Sequence, residues 1–141
     1  MKIIKAYTQK HFFEAMMIRG RVFVDEQHVP SSLEIDELDQ SCLHILLYDD
    51  MNLPKAVLRL IEYEDYFKVG RVAVLKENRQ QGYGKKLMLG IESLDMVKAK
   101  GMLKLDAQIS AIDFYRALGY IIEEEPFEEA GIMHCHAYKK L

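Results

Sequence analysis

A short segment with two glycines has the residue types needed to bind an anion. The segment Arg79-Gln80-Gln81-Gly82-Tyr83-Gly84-Lys85, called the glycine loop below, follows the apolar run Val72-Ala73-Val74-Leu75 and precedes a helical pattern. Glycine adopts backbone angles that other residues avoid, and consecutive N–H groups at a helix start form a concave donor site. Because Arg79 and Lys85 add positive charge, the segment predicts a phosphate-binding loop.

Two common phosphate motifs do not fit the glycine loop. A dinucleotide fingerprint requires a third glycine or an alanine where this chain has Leu87. A P-loop requires a glycine five residues before Gly84 and a hydroxyl residue after Lys85, and both are absent. A simple glycine turn that opens a helix, with its cations in water, is the structural alternative.

The hydrophobic pattern predicts an α/β layer structure that positions this loop. Strand patterns cover residues 2–7, 43–48, 56–64, 67–75, 102–107, 121–124 and 134–139. Helical spacing covers residues 11–24, 87–97 and 110–118. Lys100-Gly101 is expected to end the second helix, and the third is expected to have Ser110 as its N-cap and Gly119 as its left-handed terminator. The alternation of strands and helices in the middle of the chain requires at least one parallel pair of strands.

Finer features of these elements follow from residue spacing. In the first helix, Phe12, Met16, Arg19 and Phe23 form one stripe that is expected to face the core. The polar and acidic residues 25–40 are expected to form a structured loop. At 141 residues, the chain fits one domain that covers residues 1–141.

Composition limits the classes of function. The chain is 50% hydrophobic and carries a formal net charge of −3, which argues against a protein that coats nucleic acid with a basic surface. There is no secretory signal pattern and no apolar run of about 20 residues that could cross a membrane. Two cysteines, Cys42 and Cys135, are too few for a disulfide framework. We expect a cytoplasmic protein with two reduced thiols.

Two motifs together resemble one enzyme family. The pattern Arg-x-x-Gly-x-Gly after a Val-Ala-Val strand resembles the coenzyme A motif of the GNAT family of N-acetyltransferases. Residues 111–120, Ala-Ile-Asp-Phe-Tyr-Arg-Ala-Leu-Gly-Tyr, are similar to that family's Ala-x-x-Phe-Tyr-x-x-Leu-Gly-Phe segment. Residues 21–27, 34–39 and 129–134 resemble the ElaA/YjcF-like branch. The first two of these stretches also resemble acyl-homoserine-lactone synthases.

The resemblance implies a fold and a cofactor. The fold would be α+β, with a mixed and mostly antiparallel sheet of six or seven strands flanked by helices. Acetyl-coenzyme A would be the acyl donor. Its pantetheine arm would pair with the strand before the loop, and its diphosphate would lie on the loop amides. The residues implied are Val72, Ala73, Val74, Arg79, Gln80, Gln81, Gly82, Tyr83, Gly84 and Lys85. Gln108 stands where the family often has asparagine, so its side-chain contact with the cofactor is in question.

The resemblance also implies a reaction. Acetyl transfer would go directly from the cofactor to a primary amine of a small molecule or a protein, with Tyr115 protonating the departing thiolate. The alternatives are a module that binds acyl-coenzyme A without turnover, or an enzyme similar to acyl-homoserine-lactone synthases. Exposed strand edges near the C-terminus are a candidate homodimer contact.

The general base is less well defined, since an amine must lose a proton before it attacks. Glu62 and Glu26 are the favoured candidates, because Glu62 lies on the strand pair leading to the cofactor site. The other carboxylates and histidines considered are Glu34, Asp36, Asp39, His44 and His134. No metal site is expected: His134 and His136 can share a strand face, but two ligands are too few for structural zinc.

Overall fold

The computed structural model describes all residues from 1 to 141. The strands are β1 (Lys2–Lys5), β2 (Leu43–Tyr48), β3 (Pro54–Glu62), β4 (Phe67–Val74), β5 (Met102–Gln108), β6 (Ile121–Ile122), β7 (Phe127–Glu129) and β8 (Ile132–Lys140). The helices are α1 (Gln9–Arg19), α2 (Ser31–Glu34), α3 (Tyr83–Glu92), α4 (Asp95–Lys100) and α5 (Ile112–Ala117).

One mixed sheet forms the centre of the fold. Its strand order is β1-β2-β3-β4-β5-β8-β6, and β7 also pairs with β8. Only β4 and β5 are parallel, as the strand and helix order requires. The predicted fold class is therefore confirmed, although the sheet has eight strands rather than six or seven. The additional strand, β7, has three residues and directly follows Pro126, so its alternation is too short to recognise in the sequence.

The two faces of the sheet bury separate apolar clusters. Leu58 and Leu60 of β3 pack with α3, α4 and α5 on one face, while Val57 packs with α1 on the other. This alternation is the two-residue period of a strand. Each fully buried leucine contributes about 1.5–3 kcal/mol. The sheet is thus packed on both faces, and the loops at its edge have a fixed support on which a functional site can form.

The first helical region extends beyond α1, and its buried face matches only part of the predicted stripe. A π-helical segment, Gly20–Glu26, continues it. The buried positions include Ala15, Ile18 and Val22, whereas Phe13 is 72% exposed. Of the predicted stripe, Arg19 and Phe23 are buried, whereas Phe12 is 41% exposed, because apolar residues occur around most of this helix. The small Ala15 lets the helix approach the sheet closely.

Two other local expectations need correction, and two are confirmed. The pattern expected as one helix from residue 87 to 97 is divided, because Leu94 takes an extended backbone between α3 and α4. Ser110 is not an N-cap, since a 3-10 turn (Ile109–Ala111) precedes α5 and no side chain caps that helix. Gly101 and Gly119 have the positive φ angles of +72° and +96° expected of helix terminators.

The parallel strands β4 and β5 separate partway along their length. They pair only from Phe67 opposite Leu103 to Val69 opposite Leu105, although β4 continues to Val74. A β-bulge begins just after this point, because Val57 pairs with Ala73 and Arg59 with Gly70, so two residues of β4 face one of β3. A bulge bends its strand. The bend opens a cleft between β4 and β5.

Candidate active site

The glycine loop carries a row of backbone donors with no protein acceptor. The amides from Gln80 to Lys85 donate to no backbone or side-chain acceptor, and the first α3 amide that does is that of Lys86, to the Gly82 carbonyl at 3.0 Å. Gln80 and Gly82 have φ angles of +62° and +83°. Left-handed residues alternating with ordinary ones turn successive N–H groups toward a common point. The predicted anion site is therefore present in the backbone geometry, at the positive end of the α3 dipole.

The two sequence motifs contact each other through Phe114. A Cβ placed on Gly84 would lie 3.5 Å from the Phe114 ring and 3.5 Å from a Val74 methyl group. The ring therefore packs against the start of α3 and the end of β4. Phe114 was quoted in the motif but was not predicted as a site residue; its place beside Tyr115 was the available signal.

The Arg79 guanidinium is bonded to protein groups and is not free to bind an anion at the glycine loop. Its Nε donates to the Val74 carbonyl at 3.0 Å, and its two terminal nitrogens donate to the Glu26 carboxylate. Those hydrogen bonds hold the pKa of Glu26 below its usual value. The guanidinium therefore joins the end of the π-helical segment Gly20–Glu26 to the end of β4, and Glu26 is poorly suited to accept a proton.

A cavity of about 990 Å³ lies along the separated strands. Its loop half is lined by the end of β4, the glycine loop and residues 110–115. Its hairpin half is lined by parts of residues 29–38, β3 and the β7–β8 hairpin. Of the predicted cofactor residues, all except Gln81 line the cavity, namely Val72, Ala73, Val74, Arg79, Gln80, Gly82, Tyr83, Gly84 and Lys85. This volume is at the upper end for small-molecule sites, so two ligand groups can fit.

Tyr115 lies on the wall of the loop half. Its side chain is 7% exposed, and its hydroxyl has no hydrogen-bond partner in the protein. Burial raises the pKa of this phenol well above its usual value. The rings of Phe114 and Tyr120 meet it edge-on, with centroids at 5.0 and 5.7 Å. The result is a fixed, neutral hydroxyl with its hydrogen-bonding capacity unused.

Gln108 has a partner that the sequence did not indicate. The amides of Gln108 and Gln27 exchange two hydrogen bonds, at 2.9 and 3.3 Å, and both residues line the cavity. This pair links the end of β5 to the chain segment that follows the helical Gly20–Glu26. No local pattern relates residues 81 positions apart, so Gln27 could be found only from the fold.

A buried ionic network supports the wall of the hairpin half. Arg19, which is fully buried, contacts Glu34 at 2.7 Å and Asp39 at 2.7 Å. Arg59 contacts Asp36 at 2.7 Å and Asp39 at 2.9 Å. A buried charge is tolerated only when it is paired in this way. The network therefore fixes the acidic segment, which was expected to be a structured loop, against β3.

Arg71 joins this network to the bulge in β4. It has a φ angle of +53°, which is strained for a residue with a side chain. Its guanidinium donates to the Glu34 carbonyl at 2.9 and 3.1 Å and to the Leu33 carbonyl at 3.3 Å. These bonds hold the bulge where the β4–β5 cleft opens.

The network removes three of the candidate bases. Burial alone would raise the pKa of Asp39, but hydrogen bonds from Arg19 and the Asp36 amide outweigh it and lower that pKa. Hydrogen bonds from Arg59 likewise lower the pKa of Asp36. The Glu34 carboxylate is 3% exposed and bonded to Arg19. These carboxylates are structural ions rather than proton acceptors.

Two further candidates lie away from the cavity. Glu62 does not line it, and its side chain is 65% exposed, with Lys100 at 3.3 Å. The favoured choice of Glu62 was based on the strand that carries it, but Glu62 is the last residue of β3 and points outward. His44 is buried among α1 and β2, where its Nε2–H donates to the Asp39 carbonyl at 3.0 Å. Both residues are explained without proton transfer.

The β7–β8 hairpin brings the remaining candidate, His134, to the cavity wall. Its Nδ1 lies 2.7 Å from the Ile132 carbonyl oxygen, which can only accept, so Nδ1 carries the proton. With Nδ1 donating, Nε2 is the nitrogen whose lone pair can accept a proton, and no protein group bonds to it. Phe127 lies almost parallel to the ring, at 5.8 Å between centroids and an angle of 24°. Of the seven candidates, this histidine has both access and a fixed tautomer.

Metal-ligand residues approach each other at one place. Asp39, Cys42 and His44 offer atoms within 4.8 Å of one another. However, the Asp39 carboxylate is bonded to two arginines and the His44 Nε2 is bonded to a carbonyl. This group is accounted for by the ionic network. No helix in the structure is both long and apolar enough to cross a membrane.

Comparisons with known proteins are consistent with this geometry. The sequence model of the acetyltransferase (GNAT) domain matches residues 3–141. The N-acetyltransferase YjcF of Bacillus subtilis (strain 168), described as uncharacterized, is 35% identical, with 99% of each chain aligned. Protein ElaA of Escherichia coli (strain K12) is 30% identical, over 86% of this chain and 82% of ElaA.

A solved structure has the same fold along nearly its whole length. It is a Lactobacillus plantarum protein described as an N-acetyltransferase, with a TM-score of 0.91 and 28% sequence identity. The match covers 99% of this chain and 97% of the other. The similarity therefore extends over the whole fold rather than over one part of it.

Proposed function

The chain belongs to the GNAT family of N-acetyltransferases, in the branch that includes ElaA and YjcF, and we propose that it transfers an acetyl group from acetyl-coenzyme A directly to a primary amine. The observation that carries this proposal is the row of unbonded amides from Gln80 to Lys85 at one end of a cavity between separated strands. Such a row suits a diphosphate, and the cavity suits a long arm that ends in a thioester.

The loop half would hold the cofactor. The coenzyme A diphosphate would accept from the glycine-loop amides, with about 0.3–2 kcal/mol added by the helix dipole. The pantetheine amides would pair with Val72, Ala73 and Val74, where β4 has no neighbour on the β5 side. Lys85, which is exposed and has no ion pair, supplies charge that Arg79 does not. The two glycines let the ligand lie against the main chain.

The chemical step would begin with the amine. Its ammonium form must first give a proton to a base, for which we propose His134 Nε2. The nitrogen lone pair then attacks the thioester carbon, and the oxyanion that forms is stabilised by a β4 amide. The C–S bond breaks as the intermediate collapses. This step leaves the coenzyme A thiolate and an amide whose nitrogen still carries two protons.

Tyr115 would return a proton to that thiolate. Because burial raises the pKa of its phenol, the hydroxyl is fully protonated at neutral pH. The second proton on the new amide nitrogen leaves and restores the phenol, so one proton is released per turnover. Cys42 and Cys135 do not line the cavity, which favours direct transfer over an acyl-enzyme.

The test is a screen of purified protein with acetyl-coenzyme A and a set of alkylamines, amino acids and peptides. Acetylated product is measured by mass spectrometry, because the two cysteines of the chain would react with thiol reagents. We expect acetylation of at least one amine. Binding of acetyl-coenzyme A without any product would instead support a regulatory module. Thermal stabilisation by S-adenosylmethionine and not by acetyl-coenzyme A would support the synthase alternative.

A further inference from the structure

The hairpin half of the cavity has an unusually apolar rim for an enzyme that acts on an amine. Leu33, Leu38 and Tyr63 line the cavity and are 54%, 38% and 40% exposed. Ile61 and Ile132 line it more deeply. Large apolar side chains that are exposed around one cavity indicate contact with an apolar ligand group. The acetyl group is too small to cover them.

The cations of this half are already neutralised. Lys68 contacts Asp106 at 2.9 Å, and Arg59 contacts Asp36 at 2.7 Å. Arg71 is held by the Glu34 carbonyl at 2.9 Å and by Asp36 at 3.4 Å. A carboxylate or phosphate on the acceptor would therefore find no uncommitted cation here. Its burial would carry an uncompensated desolvation cost.

One carboxylate in this half is outside ion-pair distance of any cation, although the pKa of Lys68, which burial lowers, is raised by the contact with Asp106 and also by the charge of this carboxylate. Glu129 lines the cavity, is exposed and makes no ion pair in the structure. It lies opposite Ile132 in the hairpin, and Phe127 lies opposite His134. Side chains of alternate residues share a strand face, so Glu129, Ile132 and His134 face the cavity together. Glu128 and Met133 lie on the other face.

Building on the proposed function, we infer that the acceptor is a primary amine with an apolar body and no acidic group, whose ammonium is drawn to Glu129 beside His134. The apolar rim binds the body, and the single free carboxylate selects the cation. His134 then takes the proton, and the neutral nitrogen attacks the thioester as described above. The acceptor class thus follows from which charges are paired and which one is not.

Matched acceptors test the class. Acetyl-coenzyme A is supplied with 2-phenylethylamine, with L-phenylalanine, which adds a carboxylate, or with O-phosphoethanolamine, which is acidic and lacks the apolar body. We expect kcat/KM for 2-phenylethylamine to exceed both others by about tenfold or more. Equal or better use of either acidic amine overturns the inference, as does the absence of product from 2-phenylethylamine. Acetylation of other amines in either case would leave the proposed function intact, whereas no amine product at all would refute both.

Paired variants test the residue. Glu129→Gln should raise KM for 2-phenylethylamine by about fivefold, because a partly exposed charge contact contributes up to about 1 kcal/mol. Its kcat and its coenzyme A affinity should be unchanged. Glu128→Gln, on the opposite face of the same strand, should behave as the wild type. An unchanged KM in Glu129→Gln, or an equal rise in both variants, overturns the role of Glu129.

Discussion

The two halves of the cavity obtain their binding chemistry from different parts of the polypeptide. The loop half presents main-chain N–H groups that are free because a helix begins there. The hairpin half presents side chains from segments far apart in the sequence, with most of its charges already paired. The backbone donors of the loop half depend on backbone angles rather than on side chains, so they suit a ligand group that is always the same, such as a diphosphate. The side chains of the hairpin half decide which charges are paired and which remain free, so this half is suited to select the acceptor.

The largest effect is expected at Tyr115, on the wall of the loop half. Tyr115→Phe removes the proposed acid, and kcat should fall by about 10²–10⁴-fold, the usual contribution of a positioned acid. The coenzyme A dissociation constant should not change. Tyr120→Phe is the control, because Tyr120 is similarly buried and contacts the Tyr115 ring but does not line the cavity. Steady-state kinetics that show equal activities for the two variants would refute the acid role.

A second expected effect concerns the support of the hairpin half. Asp39→Asn leaves Arg19 and Arg59 without part of their compensation, so the free energy of unfolding should fall by about 3–5 kcal/mol at pH 7. Urea denaturation measures this loss. Asp113→Asn is the control, since Asp113 is fully exposed and pairs only with Arg116 at 3.8 Å.

The same variant has a predicted pH dependence. The pKa of Asp39 is lower in the folded protein than its ordinary value near 4, so the ionised form favours folding. That stabilisation is complete above about pH 4 and is lost as the pH falls through the lowered folded pKa. The difference in the free energy of unfolding between the wild type and Asp39→Asn should therefore become smaller as the pH is lowered. A difference in the free energy of unfolding that grows at low pH would contradict the ionic role of Asp39.

A smaller effect should separate the two histidines of β8. His134→Gln should lower kcat by about 10²-fold for an alkylamine, which needs a base. The loss should be much smaller for O-methylhydroxylamine, a weakly basic amine that is already neutral at pH 7. His136→Gln is the control, because His136 is exposed, bonds to Asp106 and stacks on the same Phe127. Equal losses with both acceptors would mean that His134 has a structural role only.

The loop half could be predicted from the sequence because its parts are contiguous. A Val-Ala-Val strand, two glycines and a helical pattern fix the backbone locally, and the Phe114-Tyr115 motif lies on the next helix but one. Even there, the guanidinium of Arg79 bonds to Glu26, which lies at the end of the π-helical segment after α1 and far away in the sequence. Local sequence predicts backbone donors better than it predicts where a long side chain points.

The hairpin half could not be predicted in the same way. Its paired charges join Arg19, Asp39 and Arg59, which come together only when α1 packs on β3. Glu62 was a wrong choice because it is the last residue of β3 and its side chain faces the solvent, which the strand pattern alone does not show. The turn residues Ala130 and Gly131 both have positive φ angles, but only the glycine is typical of such a turn, so the hairpin had a weak signal in the sequence. Recognising it would have placed Glu129 and His134 on one face.

The central claim is that the glycine-loop amides bind the coenzyme A diphosphate, and calorimetry on one pair of variants tests it most directly. Gly82 and Gly131 have φ angles of +83° and +78°, and an added Cβ meets nothing within 4 Å at either site. A valine should therefore cause similar backbone strain at both positions, but only Gly82→Val puts a side chain over the loop amides. We predict that Gly82→Val, still folded by circular dichroism, loses coenzyme A binding while Gly131→Val keeps it. An unchanged dissociation constant in Gly82→Val would contradict the account.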